Sequence, residues 1–192
     1  VFSSFTGDPE VMLRLALQNA NERVFVLAGE DPELRGMGTT AVSLLLGPAS
    51  EGWVAHVGDS RAYRWRAGRI EALTRDHSVV AEMERRGLIT AEEAAVHPRR
   101  NEILRSVGVQ AEIEPEVCVI EVQAGDRFLL CSDGLSGLVS DAEIEAIVSA
   151  SAPASAAQTL IDTANERGGH DNITVQIVSV RSHDHPGLPS AI

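Results

Sequence analysis

Apolar positions with a helical period come first in the chain, after the short opening segment VFSSFTG. Asp8 followed by Pro9 is a typical helix beginning, because aspartate caps free backbone N–H groups and proline fits the first helical position. From Leu13 to Leu27, apolar residues recur at intervals of three or four. The pattern therefore predicts an amphipathic helix that ends near Ala28.

Short apolar segments separated by turn residues follow this helix and predict β-strands. The predicted strands are 40–46, 53–57, 61–65, 69–73, 117–122, 127–131 and 173–180. The turns at 66–68 and 123–126 are short and contain glycine, so each is predicted to close an antiparallel hairpin. In the second hairpin Cys118 and Cys131 could be cross-strand neighbours, although two small buried hydrophobic side chains would explain them as well.

Polar sequence with short helical patterns occupies residues 76–108, between the two predicted hairpins. Ser78 can cap one short helix, and Thr90 with Glu93 forms a capping box for a second. A segment this long between strands predicts a lid or a small subdomain. Two further helices are predicted in the C-terminal third, the first of them with a capping box at Ser140 and Glu143. Antiparallel strands between helices indicate the α+β class, with sheets packed face to face and helices outside.

Composition narrows the class of protein. The formal net charge is −12, from 28 acidic and 16 basic residues, which argues against binding to a nucleic acid backbone. No apolar segment approaches the roughly 18 residues of a membrane span. Two cysteines do not make a disulfide framework, so we expect a reduced, cytoplasmic protein.

Three aspartates lie at the ends of predicted strands, each beside glycine. Asp59 follows strand 53–57, Asp133 follows strand 127–131, and Asp171 precedes strand 173–180. Carboxylates held at strand ends suit Mg²⁺ or Mn²⁺, which prefer oxygen ligands. Aspartate beside glycine is also common in ordinary turns, and the same acids could hold Ca²⁺ or Mg²⁺ purely as a structural staple.

Six motifs then occur in a characteristic order. They are GMGTTAVSLLL (36–46), VGDSRAYRW (57–65), TRDHS (74–78), HPRRNEILRSVG (97–108), LLCSDGLSGLVSD (129–141) and GGHDNITVQIV (168–178). In this order the chain resembles bacterial members of the type 2C (PPM) family of metal-dependent serine/threonine protein phosphatases. The resemblance implies a four-layer α-β-β-α sandwich of two antiparallel sheets and a phosphatase domain over 1–181 that lacks its N-terminal strands. Two prolines and a glycine after Ser182 predict a flexible tail over 182–192.

The resemblance also implies roles for individual residues. Asp133 and Asp171 would hold two catalytic Mn²⁺ or Mg²⁺ ions, and Asp59 with Asp133 would hold a possible third. A flap at about 77–105 would lie beside the active site. The implied supporting residues are Ser132, Gly134 and Asn172, and the implied substrate-facing residues of the flap are His77, His97 and Asn101.

Three other side chains near these motifs have weaker assignments. His170 adjoins Asp171, where a supporting role is favoured over donating a proton to the leaving alkoxide. His56 lies within a strand and is expected to be packed. Arg61 could pair with a carboxylate at the edge of the site.

The substrates implied are phosphorylated proteins, targets of Ser/Thr kinases. The family's N-terminal motifs, with a phosphate-binding arginine and a metal-bridging aspartate, are absent from the 192 residues. The expectation is a fragment of a complete phosphatase. The alternatives are an inactive regulatory or phosphoprotein-binding module, or a chain completed by another chain.

Overall fold

The computed structural model describes residues 7–48 and 50–181, and the predicted tail lies outside them. The helices are α1 (Pro9–Glu30), α2 (Val79–Arg85), α3 (Ala91–Ala95), α4 (Asp133–Ser136), α5 (Asp141–Ala150) and α6 (Pro153–Glu166), with a 3₁₀ turn at Pro32–Leu34. The strands are β1 (Ala41–Leu46), β2 (Glu51–Val57), β3 (Arg61–Arg66), β4 (Arg69–Ala72), β5 (Glu116–Glu121), β6 (Arg127–Cys131) and β7 (Val175–Ser179). All the predicted strands are therefore confirmed, with ends shifted by at most two residues.

The predicted helix ends are largely confirmed. Asp8 caps α1 by accepting a hydrogen bond from the N–H of Glu10, and Pro9 is the first helical residue. The capping boxes at Thr90 and Ser140 both form. The one-turn helix α4 was not predicted, because four residues are too few to show a helical period.

The strands form two antiparallel sheets. One has the order β1-β2-β5 and the other the order β4-β3-β6-β7. Val54 and Ile120 of the first sheet pack with Phe128 and Leu130 of the second in one buried cluster. Helix α1 contacts β2 and β5, while α5 and α6 pack on the second sheet. The predicted four-layer α-β-β-α sandwich is confirmed.

The predicted hairpin at 123–126 is wrong. Strand β5 pairs with β2, whereas β6 pairs with β3 and β7, so the chain crosses from one sheet to the other between them. Cys118 accordingly lies opposite Val54, and Cys131 lies in the other sheet, opposite Arg61. They are not cross-strand neighbours, and both are free thiols. The crossing places Ile120 of β5 and Phe128 of β6 on different sheets, in the same buried cluster between them.

No helix among the described residues combines the length and the apolar character that a membrane crossing requires.

Asn21 anchors α1 to residues 108–111, which follow the flap. Its side chain is 1% exposed. Its Nδ2 donates to the carbonyl oxygens of Gln110 (2.9 Å) and Ala111 (3.1 Å), and its Oδ1 accepts from the N–H of Gly108 (2.7 Å). Sequence reasoning missed this residue, because a single asparagine within a helix gives no signal of a partner almost ninety residues away.

We expect Asn21→Ala to lower the free energy of unfolding by about 2–3 kcal/mol, since three buried backbone groups lose their partner. Urea denaturation measures the change. Asn19→Ala makes the same substitution at an exposed position of the same helix and is expected to stay within about 0.5 kcal/mol. Equal effects of the two substitutions would contradict the anchoring role.

Candidate metal centre and active-site cleft

Asp59 lies in a tight turn between β2 and β3. The preceding Gly58 has a φ of +107°, and a β-carbon there would lie 2.4 Å from Cγ2 of Thr40. The hydroxyl groups of Thr40 and Ser60 are 2.8 Å apart and hydrogen-bonded. The turn is thus fixed against the start of β1, and the half-buried Asp59 is held between these two contacts.

Asp133 begins α4 immediately after β6 and is exposed. Gly134 behind it packs directly on the loop before β7, because a β-carbon there would lie 2.6 Å from the carbonyl oxygen of Asn172. Only glycine allows so close an approach of the two backbones.

Ser132 joins the same two segments by hydrogen bonds. Its Oγ donates to the carbonyl oxygen of Asn172 (2.9 Å) and accepts from the N–H of Thr174 (3.0 Å). Its own N–H donates to the carbonyl oxygen of Thr174 (3.1 Å). The structure therefore holds the loop of Asp171 against the loop of Asp133, although forty residues separate Ser132 from Asn172.

A cleft of about 360 Å³ opens beside these turns. The cleft is lined by Asp59, Asp133 and Asn101, by the glycine-rich segment 36–40, and by other residues at the end of the flap and just after it. Asp171, His77 and His97 are not among its lining residues. Among the predicted site residues, the structure thus brings Asp59, Asp133 and Asn101 to one cleft and connects Asp171 to it through Ser132 and Gly134.

The electrostatics of the cleft favour a cation. Burial raises the pKa of Asp59 to about 6, and the carboxylates of Asp133 and Asp76 add to the rise. Clustered carboxylates repel one another, so a bound positive ion would stabilise them in the charged form. Arg61 is already engaged elsewhere, because its guanidinium donates to both carboxylate oxygens of Asp76 (2.9 and 2.7 Å). This confirms the predicted pairing of Arg61 with a carboxylate.

The four histidines with predicted positions or roles differ in their surroundings. His77 is buried against His56, which is itself packed as expected. His97 is half-buried, and its Nδ1 accepts from the N–H of Arg99 within its own turn (3.1 Å). His170 is exposed beside Gly168. The burial of His77 therefore argues against a direct contact between this side chain and the substrate.

A second group that could hold a metal was missed by sequence reasoning. His56, His77 and Glu116 each place a ligand atom within 4.8 Å of the others. His56 lies directly opposite Glu116 across β2 and β5. The register of that pairing and the stacking of His77 on His56 bring the group together, so no sequence spacing would have predicted it.

The carboxylate oxygens at the cleft suit Mg²⁺ or Mn²⁺, the ions predicted from the aspartates in the sequence. Asp59 and Asp133 offer carboxylate oxygens at one cavity, and these are the ligands that Mg²⁺ and Mn²⁺ prefer. Rigid turns at strand ends hold both side chains. The fold and these acids together define a sandwich protein with an acidic cleft whose carboxylates could hold a metal ion.

Comparison with known proteins identifies the class. The family model described as Protein phosphatase 2C matches residues 2–173. The serine/threonine phosphatase Stp of Listeria welshimeri is 41% identical over 170 residues, which are 88% of this chain and 67% of that protein.

Solved structures agree with this match. The serine/threonine phosphatase PstP/Ppp of Mycobacterium tuberculosis superposes with a TM-score of 0.87 at 37% identity, over 92% of this chain and 74% of that one. The catalytic domain of PstP in complex with two manganese ions superposes with a TM-score of 0.84 at 36% identity, over 94% of this chain and 75% of that one. The chain belongs to the protein phosphatase 2C family, whose members depend on metal.

Proposed function

We propose that the chain hydrolyses phosphoserine and phosphothreonine esters of proteins with Mn²⁺ or Mg²⁺ held by Asp133 and Asp171, and with a further ion held by Asp59 and Asp133. Serine/threonine phosphatase activity follows from its family and its relatives. The observation that supports this ligand set is the contact of Gly134 and Ser132 with Asn172, which holds the two aspartate loops together.

The residues of the chain have separate roles in this proposal. A bound ion would supply a water activated for attack at phosphorus and neutralise charge on the phosphoryl oxygens. Asp133 and Asp171 anchor the ions, and Ser132, Gly134 and Asn172 fix the two loops that carry these aspartates. Asn101 lines the same cleft as Asp59 and Asp133, where its amide can donate to a phosphate oxygen. His97 lies further out on the flap, where it can contact the protein substrate.

The proposal also includes the extent of the domain, the class of substrate and the cellular location. Residues 1–181 form the phosphatase domain, and residues 77–105, with α2 and α3, form the flap. The substrates are proteins phosphorylated by Ser/Thr kinases. The free thiols of Cys118 and Cys131 fit the reducing cytoplasm predicted from the sequence.

The test is hydrolysis of p-nitrophenyl phosphate and of a phosphothreonine peptide by the 192-residue chain. We expect activity with Mn²⁺, loss to background after EDTA, and recovery when Mn²⁺ is returned in excess, because the carboxylates bind no substrate without a cation. Mn²⁺ binding without any turnover would mean that the chemistry needs the N-terminal motifs expected in a complete phosphatase, or that the chain is an inactive regulatory or phosphoprotein-binding module. Turnover that survives EDTA would contradict the proposal itself.

A further inference from the structure

His77 connects the turn of Asp59 to both ends of the flap. Its N–H donates to the carbonyl oxygen of Gly58 (2.9 Å), and its Nδ1 accepts from the N–H of Gly58 (3.2 Å). Its carbonyl oxygen accepts from the N–H of Leu104, where the flap ends (2.6 Å). One residue at the start of the flap thus contacts both the end of the flap and the residue before Asp59.

The ring of His77 is fixed on its remaining sides. It stacks on the ring of His56, with centroids 4.5 Å apart and an angle of 22° between the planes. Its Nε2 faces a carboxylate oxygen of Glu116 at 3.4 Å, and the side chain is 7% exposed. Because Nδ1 accepts from Gly58, the ring proton lies on Nε2 and can be donated to Glu116.

The charge state of the ring agrees with this arrangement. Burial, and next the neighbouring His56, lower the pKa of His77 below its usual value. Glu116 opposes this effect and Arg105 adds to it. A neutral ring keeps Nδ1 available as an acceptor for Gly58.

Metal binding by His56, His77 and Glu116 would disrupt these contacts. Nδ1 of His77 accepts from Gly58, and Nε2 of His56 lies 2.8 Å from the carbonyl oxygen of Arg75. A metal at Nε2 of His77 would require the ring proton to move to Nδ1, which would face the N–H of Gly58. The stacked rings also direct their lone pairs along nearly parallel planes, whereas metal ligands converge on one point.

The two walls of the cleft depend on the same contacts. Asn101 belongs to the end of the flap, which is held to its beginning by the hydrogen bond from the N–H of Val79 to the carbonyl oxygen of Glu102 (2.9 Å). Asp59 lines the same cleft and follows Gly58, which packs so closely on Thr40 that an added β-carbon would lie 2.4 Å from its Cγ2. Any rotation of the flap about its base would therefore have to break the contacts of His77.

We infer that His77 is a positioning residue: its Nδ1 holds the Gly58 turn while its backbone holds the base of the flap, so that Asp59 and Asn101 keep their separation across the cleft. This inference rests on the proposed function for the role of Asp59 in metal binding. His77 acts through Gly58 and contacts neither metal nor substrate.

A matched pair of substitutions tests the contacts of Nδ1 and Nε2 separately. His77→Asn can place Oδ1 near the position of Nδ1 and keep the acceptor for Gly58, but it loses Glu116. His77→Gln can place an amide N–H near the position of Nε2 and keep the donor to Glu116, but it has no acceptor for Gly58. Both remove the stacking on His56, so the comparison isolates the Gly58 hydrogen bond.

The first readout is tryptic cleavage of the metal-free chain at the exposed arginines of the flap, which are Arg85, Arg86, Arg99, Arg100 and Arg105. We expect His77→Gln to speed this cleavage about tenfold, as loss of one buried hydrogen bond would, and His77→Asn to stay within about threefold. Far-ultraviolet circular dichroism confirms that both variants are folded. Equal cleavage rates for the two variants would overturn the inference.

The second readout is the Mn²⁺ concentration that gives half-maximal activity. We expect it to rise about tenfold in His77→Gln, in the range seen when a residue supporting a metal ligand is lost, and to be restored largely in His77→Asn. Asp59→Asn is measured beside them. If Asp59→Asn leaves the Mn²⁺ dependence unchanged, the proposed metal binding by Asp59 is wrong. The tryptic cleavage of the flap then still tests the positioning role of His77.

A third measurement needs no substitution. In the metal-free chain, the amide hydrogen of Gly58 is expected to exchange as slowly as those of the buried strand β2, because Nδ1 of His77 protects it. Fast exchange of this amide in a folded chain would overturn the inference even if the variants could not be purified.

Discussion

Asp133→Asn is expected to reduce metal-dependent turnover by at least about a thousandfold, which corresponds to roughly 4 kcal/mol of lost transition-state stabilisation. Asparagine keeps the size of the side chain and one oxygen but removes the negative charge that a hard cation requires. Asp133 is the aspartate on which the largest part of the proposed site depends, since it is assigned both to the catalytic ions and, with Asp59, to the further ion. Steady-state hydrolysis of a phosphothreonine peptide with Mn²⁺ measures the loss.

The fold is expected to tolerate this substitution. Asp133 is exposed at the first position of α4, so the free energy of unfolding in EDTA should change by no more than about 0.5 kcal/mol. Asp162→Asn is the matched control, because it removes an exposed carboxylate on α6 that accepts only a hydrogen bond from Gln158. Near-normal turnover in Asp133→Asn, or an equal loss in Asp162→Asn, would contradict the assignment.

Asp126→Ala is expected to lower the free energy of unfolding by about 3 kcal/mol, because its buried carboxylate accepts three hydrogen bonds, two of them from the partly exposed Arg66. Asp126 is 1% exposed and accepts two hydrogen bonds from the guanidinium of Arg66 (2.7 and 2.8 Å). The N–H of Gln123 donates to the same carboxylate (2.8 Å). These contacts hold the segment that crosses from β5 to β6, so the substitution removes the anchor between the two sheets.

The control for Asp126→Ala is an exposed ion pair on β3, the strand that carries Arg66. Arg64, two residues before Arg66, pairs with the exposed Glu71 of β4. Glu71→Ala is expected to cost no more than about 1 kcal/mol, because exposed ion pairs are screened by solvent. Urea denaturation of both variants measures the difference, and costs of similar size would contradict the importance of the buried pair.

The effect of Asp126 should also depend on pH. Burial by itself would raise the pKa of Asp126, but the hydrogen bonds from Arg66 hold it below its ordinary value. A carboxyl group whose pKa is lower in the folded state stabilises the fold fully above its unfolded pKa, about 3.9, and loses that contribution as the pH falls through the folded pKa. The stability difference between the wild type and Asp126→Ala is therefore expected to shrink below about pH 4.

Much of the local structure could be read from the sequence. The cap at Asp8, the capping boxes at Thr90 and Ser140, and the turn at 66–68 depend on residues within four positions of one another, and all of them form. The apolar segments were correctly assigned as strands for the same reason, since the pattern of burial along a strand is local. The positions of Asp59, Asp133 and Asp171 at strand ends follow from these segments.

The pairing of the segments could not be read in this way. Strand β5 joins β2 across sixty residues, although a short turn with glycine separates it from β6. A turn of that kind is compatible with a hairpin and with a crossing between sheets. The choice depends on which apolar faces bury one another, as Ile120 and Phe128 do between the two sheets.

The sequence by itself determined the elements, their caps, the family resemblance and the acids that carry the chemistry, because these are set by short-range geometry and by the identity of residues within motifs. Only the tertiary structure decided which sheet each strand joins, that Asn21 and Asp126 are buried anchors, and that His77 faces inward to Gly58 rather than outward to substrate. Each of these is a contact between segments far apart along the chain. Such contacts form through burial and hydrogen bonding that no local pattern encodes.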